Sequence, residues 1–208
     1  MAILPIYLYG HDVLRAKAKP VQAMDDSLVK LVYDMFETMR NANGIGLAAT
    51  QVGDLRRVIV IDITGAENDE EEGEKKTERK KSEGPTTLVL INPVVRSRDR
   101  EWTMEEGCLS IPDVRGEVTR AETITVVFRD AKFQETELTT DGLLARVILH
   151  EIDHLDGILF IDHLTTANRA LLKPKLTKIK KGVIETTYPV ISAASKKGMR
   201  RVLRKVEA

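Results

Sequence analysis

The chain has 208 residues, 42% hydrophobic and 31% charged, enough apolar side chains for a folded domain and too many for a disordered polymer. No apolar run approaches the roughly 18 residues that span a bilayer, which excludes a helical membrane protein, and the opening MAILPIYLYGHD has no basic start or long apolar stretch, so no secretory signal is expected. Cys108 is the only cysteine; it excludes an intramolecular disulfide and fits a reducing compartment, so a cytoplasmic location is expected.

The formal net charge is zero, with 32 basic and 32 acidic residues, but from Lys173 to Ala208 there are 11 Lys/Arg against Glu185 and Glu207, a net of +9. The rest of the chain therefore carries −9. A basic end of this kind is either a solvated face or a surface that docks on something anionic.

Asp25-Asp26-Ser27 supplies capping side chains ahead of Leu28, Leu31, Val32, Met35, Phe36 and Met39, the spacing of an amphipathic helix that runs out at Asn41–Gly44. Strand-like runs follow at Arg57–Ile63, Thr86–Asn92, Val118–Arg129 and Lys132–Thr139, with Ile124, Val126 and Phe128 alternating onto one face. Between the first two lies Glu67–Glu83, with eight acidic and five basic residues, read as a solvated insertion over about residues 66–84. A second helix is predicted from Asp141 to about Leu155, buried along Leu143, Leu144, Val147, Ile148, Ile152 and Leu155. A third begins near Thr166, with Pro174 kinking or restarting it. After Gly182 comes a short β-like stretch, Val183–Val190, and then a basic amphipathic helix through Met199, Val202, Leu203 and Val206. The order helix, strands, helix points to an α+β fold: a single domain over 1–190 with sheets packed around the second helix, and a basic extension over 191–208.

The strongest chemical signal is His150-Glu151-Ile152-Asp153-His154. Residues four apart share one helix face, so both imidazoles can reach one metal ion, and Glu151 is held beside it where it can take a proton from a water. A third ligand is not at the downstream position used by metzincin proteases, which is Phe160 here; His163 lies three residues too late and His11 stands without a motif. Cys108, in the loop-like segment Glu105–Pro112, is the candidate: a thiolate and two imidazoles leave a fourth position for water. Gly44–Gly53 is Gly/Ala-rich without the Gly-Lys-Ser/Thr ending of a phosphate loop. Its glycines could let a peptide approach the backbone, and Gln51 offers a neutral donor suited to an oxyanion, or else a structural amide in a tight connection.

Gly44–Gln51, Glu106–Ser110 and His150–His154, in this order and at these separations, resemble the three signature motifs of the peptide deformylase family. The opening Ile6–Val21, with Tyr9-Gly10 and Val13-Leu14-Arg15, is also similar to it. The resemblance covers roughly Ile3 to Val190. It implies a compact fold with HExxH on a central helix and one Fe(II) held by Cys108, His150 and His154, a site that Zn, Ni or Co could also fill. It further implies removal of the N-terminal formyl group from formyl-methionyl nascent polypeptides, with release of formate. Glu151 is implied as the general acid/base, with the Gln51 side chain and the Leu109 backbone N–H polarising the formyl oxygen. The family binds its peptide as an added strand, and Gly44–Gly46 with Glu106-Gly107 are the matching backbone segments. Ile45, Leu143 and Val147 are candidates for the methionine pocket, with Arg115 and Arg146 expected near its rim. Nascent chains are thus the expected partners, together with the ribosome through the basic C-terminal region; DNA is not expected.

Overall fold

The structure, a computed structural model, describes residues 1–64 and 85–195. The charged insertion about 66–84 and the basic helix expected after residue 196 lie outside them. Helix α1, Asp26–Asn41, starts where the Asp25 side chain accepts the Leu28 N–H at 2.7 Å, and buries Leu28, Leu31, Met35 and Met39, the stripe its spacing predicts. Helix α2, Gly142–Leu155, carries HExxH in its last turns. Helix α3, Thr166–Lys180, is capped by the Thr165 side chain and runs through Pro174 as one element.

Seven strands complete the domain: β1 Ile6–Tyr7, β2 Gly46–Ala48, β3 Val58–Asp62, β4 Thr87–Cys108, β5 Ile111–Arg129, β6 Glu135–Asp141 and β7 Val190–Ile191. Strands β2-β3-β4-β5-β6 form an antiparallel sheet in that order, and β1 pairs with β7 in parallel. The apolar run of β3 is continuous because both its faces are covered. Ile59 and Ile61 pack with Leu144, Ile148, Ile152 and Leu155 of α2, whereas Val58 and Val60 pack with Leu28, Leu31, Met35 and Met39 of α1, as period-2 alternation requires. Ile124, Val126 and Phe128 of β5 join the α2 side, which leaves that helix fixed against the sheet. A third cluster, including Leu14, Ile111, Val118, Phe160 and Ile179, ties α3 to the start of β5.

Three local expectations are corrected. Glu105–Pro112 is not a loop: β4 and β5 run through it as a hairpin in which Cys108 pairs with Ile111, leaving only Leu109-Ser110 to turn. Cross-strand pairing over the whole hairpin overrides the turn-like composition. The last strand of the sheet begins at Glu135 rather than Lys132, because the N–H groups of Lys132 and Gln134 are both taken by the Asp130 carboxylate in a turn. Of Val183–Val190, only Val190 is in a strand, since the partner β1 has just two residues to pair with.

Candidate active site

Register in the hairpin and helical periodicity in α2 bring the site together. The β4–β5 turn delivers Cys108 to α2, where His150 and His154 lie on one face with ring centroids 5.0 Å apart. One ligand atom from each of Cys108, His150 and His154 falls within 4.8 Å of the others, the only such cluster of His, Cys, Asp or Glu among the described residues. Cys108 Sγ is 3.1 Å from His154 Nε2. Expected site residues other than His154 all border one cleft of about 1250 Å³; His154 is buried behind it.

Gln51, on a short 3-10 turn after β2, accepts the Ala48 N–H on its side-chain oxygen at 2.8 Å. Its amide N–H2 is thereby turned toward Cys108 Sγ at 3.6 Å and Ser110 Oγ at 3.3 Å. Gly46 faces Glu151: a Cβ on it would stand 2.6 Å from Glu151 Oε1 and 2.7 Å from Val147 Cγ1, so only glycine fits against the helix there. Burial pushes the Glu151 carboxyl up to about 7, with His150 opposing. Leu143, Val147 and Ile45 border the cleft beside it, and Arg115 is exposed at the cleft, 3.8 Å from Glu105.

Two arginines and one carboxylate form a network the sequence reading did not find. Glu106, expected to offer its backbone to substrate, turns its side chain inward: one oxygen lies 2.9 Å from His150 Nδ1, and the carboxylate accepts from Arg120 at 2.6 Å and Arg146 at 3.0 Å. Arg120 also reaches Asp153 at 2.6 Å, and Asp153 meets His163 Nε2 at 2.7 Å. Burial alone would raise the Glu106 carboxyl; hydrogen bonds from His150 and Arg120 more than offset it and hold the group well below the usual range. Burial likewise disfavours charge on both histidines. It wins at His154, which is lowered, and loses at His150, which Cys108 and Glu106 raise. Arg146 borders the cleft but is only 3% exposed, its guanidinium turned inward. It sits one turn before His150 on the same face, donating to Glu106 and to the Val118 and Trp102 carbonyls. Arg120 shares the inward parity of buried Val118 on β5, and a charge on that side of a strand is the signal that could have found it. His11, by contrast, accepts the Val13 N–H and packs edge-on against Tyr7.

The donor set fits a divalent transition metal. Glu106 occupies Nδ1 of His150, which leaves Nε2 for coordination. Glu151 Oε2 is buried without a hydrogen-bond partner, an atom that a water in the site would satisfy, and His154 turns Nε2 toward Cys108 Sγ. A cysteine, two histidines and an adjacent glutamate gathered at one cleft define a metallohydrolase.

The family model for polypeptide deformylase matches residues 3–170. A peptide deformylase of Salinibacter ruber is 45% identical over 192 residues, covering 91% of this chain and 95% of that one. The crystal structure of a peptide deformylase from Legionella pneumophila superposes with a TM-score of 0.74 at 40% identity, covering 88% of this chain and 98% of its own. That from Thermus thermophilus does so at 0.72 and 37%, covering 86% and 98%. The chain belongs to the polypeptide deformylase family. It is a hydrolase that removes the N-terminal formyl group from nascent peptides.

Proposed function

We propose that the reaction is carried by Cys108, His150, Glu151, His154, Gln51 and Leu109, on a formyl-methionyl chain lying along Gly44–Gly46 and Glu106-Gly107. The observation that carries this reading is the convergence of the Cys108, His150 and His154 ligand atoms within 4.8 Å at the cleft that Glu151 and Gln51 also border. Fe(II) held by those three residues would supply Lewis-acid polarisation of the formyl carbonyl and an acidified water. Glu151, buried and raised to about 7, takes one proton from the attacking water as the water oxygen joins the formyl carbon, then passes it to the amine nitrogen as the C–N bond breaks. Formate and a free methionyl amine result. The Gln51 amide and the Leu109 N–H donate to the oxygen that gains charge; one such donor is typically worth ~10²–10³ in rate. Ile45, Leu143 and Val147 offer the methionine side chain an apolar wall.

Iron is the proposed resident metal, although Zn, Ni and Co suit the same donors and raw affinity favours several of them over Fe(II). Anaerobic purification, metal analysis and formate release from a formyl-Met peptide, run beside its acetylated counterpart, test the assignment. Equal turnover of the two, or no formate, would reject it. With Cys108 as a ligand, air should inactivate an iron-loaded protein faster than a nickel-loaded one.

The domain division proposed is 1–190 for catalysis, with a charged insertion about 66–84, and 191–208 as a basic extension whose first residue pairs with Tyr7. No helix among the described residues is long and apolar enough to cross a membrane. A cytoplasmic enzyme meeting chains as they leave the ribosome is the reading that the single cysteine and the +9 of residues 173–208 support. That charge is proposed to dock on ribosomal RNA phosphates. A chain ending at Ser195 should bind ribosomes more weakly and with less salt dependence, at unchanged activity on short peptides.

A further inference from the structure

Residues beyond the family match, which ends at 170, return from α3 to the catalytic cleft. Ile184, Glu185, Thr186, Thr187 and Tyr188 all border it, and the chain then pairs with β1 as β7. Within this segment Tyr188 is 8% exposed, packed into the core that α1 shares with β3. Its hydroxyl donates to the Leu109 carbonyl oxygen at 2.8 Å, and the Thr186 hydroxyl donates to the Tyr188 carbonyl at 2.8 Å, pinning the backbone that carries the ring. Burial pushes the Tyr188 phenol up, so it remains an O–H donor at neutral pH.

Leu109-Ser110 is the whole turn between Cys108 and Ile111. Ser110 is held on two sides, its hydroxyl by the Gln51 amide at 3.3 Å and its carbonyl by the Tyr9 N–H at 2.8 Å. Tyr188 adds the tie at Leu109 itself, on the peptide plane next to the one that bears the Leu109 N–H. Rotation of that plane would swing the N–H with it, because a two-residue turn has few dihedrals to absorb the motion.

We propose that Tyr188 is a positioning residue of the deformylation reaction, holding the Leu109-Ser110 peptide so that the Leu109 N–H faces the formyl oxygen. This rests on the reading of that N–H as an oxyanion donor. The hydroxyl does not touch substrate; it acts through Leu109. Since the donor matters most where charge develops, its misplacement is felt in kcat more than in KM.

The test is Tyr188→Phe in the metal-loaded enzyme, which keeps the packed ring and removes one oxygen. The expected result is a ~5–30-fold fall in kcat, part of the ~10²–10³ of a whole donor, with KM within about twofold. Amide exchange should accelerate at Cys108–Ser110 and stay unchanged through α2. Should that variant fail to fold, Tyr188→Met fills the same apolar place without a hydroxyl and carries the same expectation. A parent-like kcat with parent-like exchange would overturn the proposal while leaving the Leu109 reading intact. Faster loop exchange at parent-like kcat would overturn it through that reading, because the loop would then be loosened without cost to the reaction. Equal acceleration of exchange throughout the fold would make Tyr188 a packing residue only.

Discussion

The Glu106 carboxylate lies 2.9 Å from His150 Nδ1 while also accepting from Arg120 and Arg146. One buried acid thus orients the His150 imidazole and is the shared counter-charge of two guanidiniums, of which Arg120 has a second partner in Asp153. Removing its charge should therefore be felt both at the metal and in the fold.

Glu106→Gln keeps the side chain's shape but leaves Arg120 and Arg146 short of a counter-charge. Loss of such a partner typically weakens metal binding ~10–100-fold, and breaking a buried ion pair costs about 3–5 kcal/mol. Chelator competition and denaturant unfolding read the two effects separately. A metal affinity within twofold of the parent would mean that His150 is oriented by packing alone.

Glu151 and the proposed metal ligands beside it should separate cleanly. Glu151→Gln preserves volume but cannot accept a proton, so kcat/KM should fall at least ~100-fold with near-stoichiometric metal retained. His154→Ala should lose the metal itself. One metal assay and one rate measurement distinguish them, and a Glu151→Gln enzyme working at the parental rate would sink the mechanism.

Gly46 and Gly44 offer a steric contrast. A Cβ at Gly46 meets Glu151 Oε1 at 2.6 Å and Val147 Cγ1 at 2.7 Å, both on the fixed helix α2, whereas one at Gly44 meets only the outer methyl of Leu109 at 2.7 Å before ordinary contacts. Gly46→Ala must displace the Glu151 side chain, the proposed proton carrier, and a misplacement near 1 Å can cost ~10²-fold. The expected loss in kcat/KM is ~10–100-fold for Gly46→Ala and at most severalfold for Gly44→Ala. Steady-state rates on one formyl-Met peptide check the ordering, and equal effects would refute it.

Acid stability should carry a signature of Asp62. The Arg40 guanidinium, 2.8 Å away, holds this carboxyl below its ordinary value, with Thr64 assisting and burial opposing. A carboxyl lower in the folded than in the unfolded chain contributes stability above its unfolded value, near pH 4, and loses it as pH falls through the folded value. Arg40→Ala should cost about 0.2–1 kcal/mol at neutral pH, small because Arg40 is half exposed. The variant should then lose less on acidification than the parent. Unfolding midpoints at about pH 6 and about pH 2.5 test this; parallel losses would discount the pair.

The pairing of His150 and His154 on one face was legible in the sequence because its geometry is local, whereas Cys108 reaches them from 46 positions before His154. His150 and His154 are four apart on a helix whose apolar stripe is continuous, and that periodicity alone puts them on one face with Glu151 beside them. The same holds for the α1 stripe and for the alternation of Ile124, Val126 and Phe128, since side-chain direction in helices and strands follows from residue spacing. The roles of Glu106, Arg120 and Arg146 were not legible, because a buried charge is explained only by partners distant in sequence. Glu106 and His150 are separated by 44 positions and meet only once the β4–β5 hairpin is zipped and laid against α2. Tyr188 belongs to the same class: nothing near it in the chain indicates that its hydroxyl closes on Leu109, 79 residues away. Periodicity decided which face each element buries; tertiary packing alone decided which polar groups those faces share.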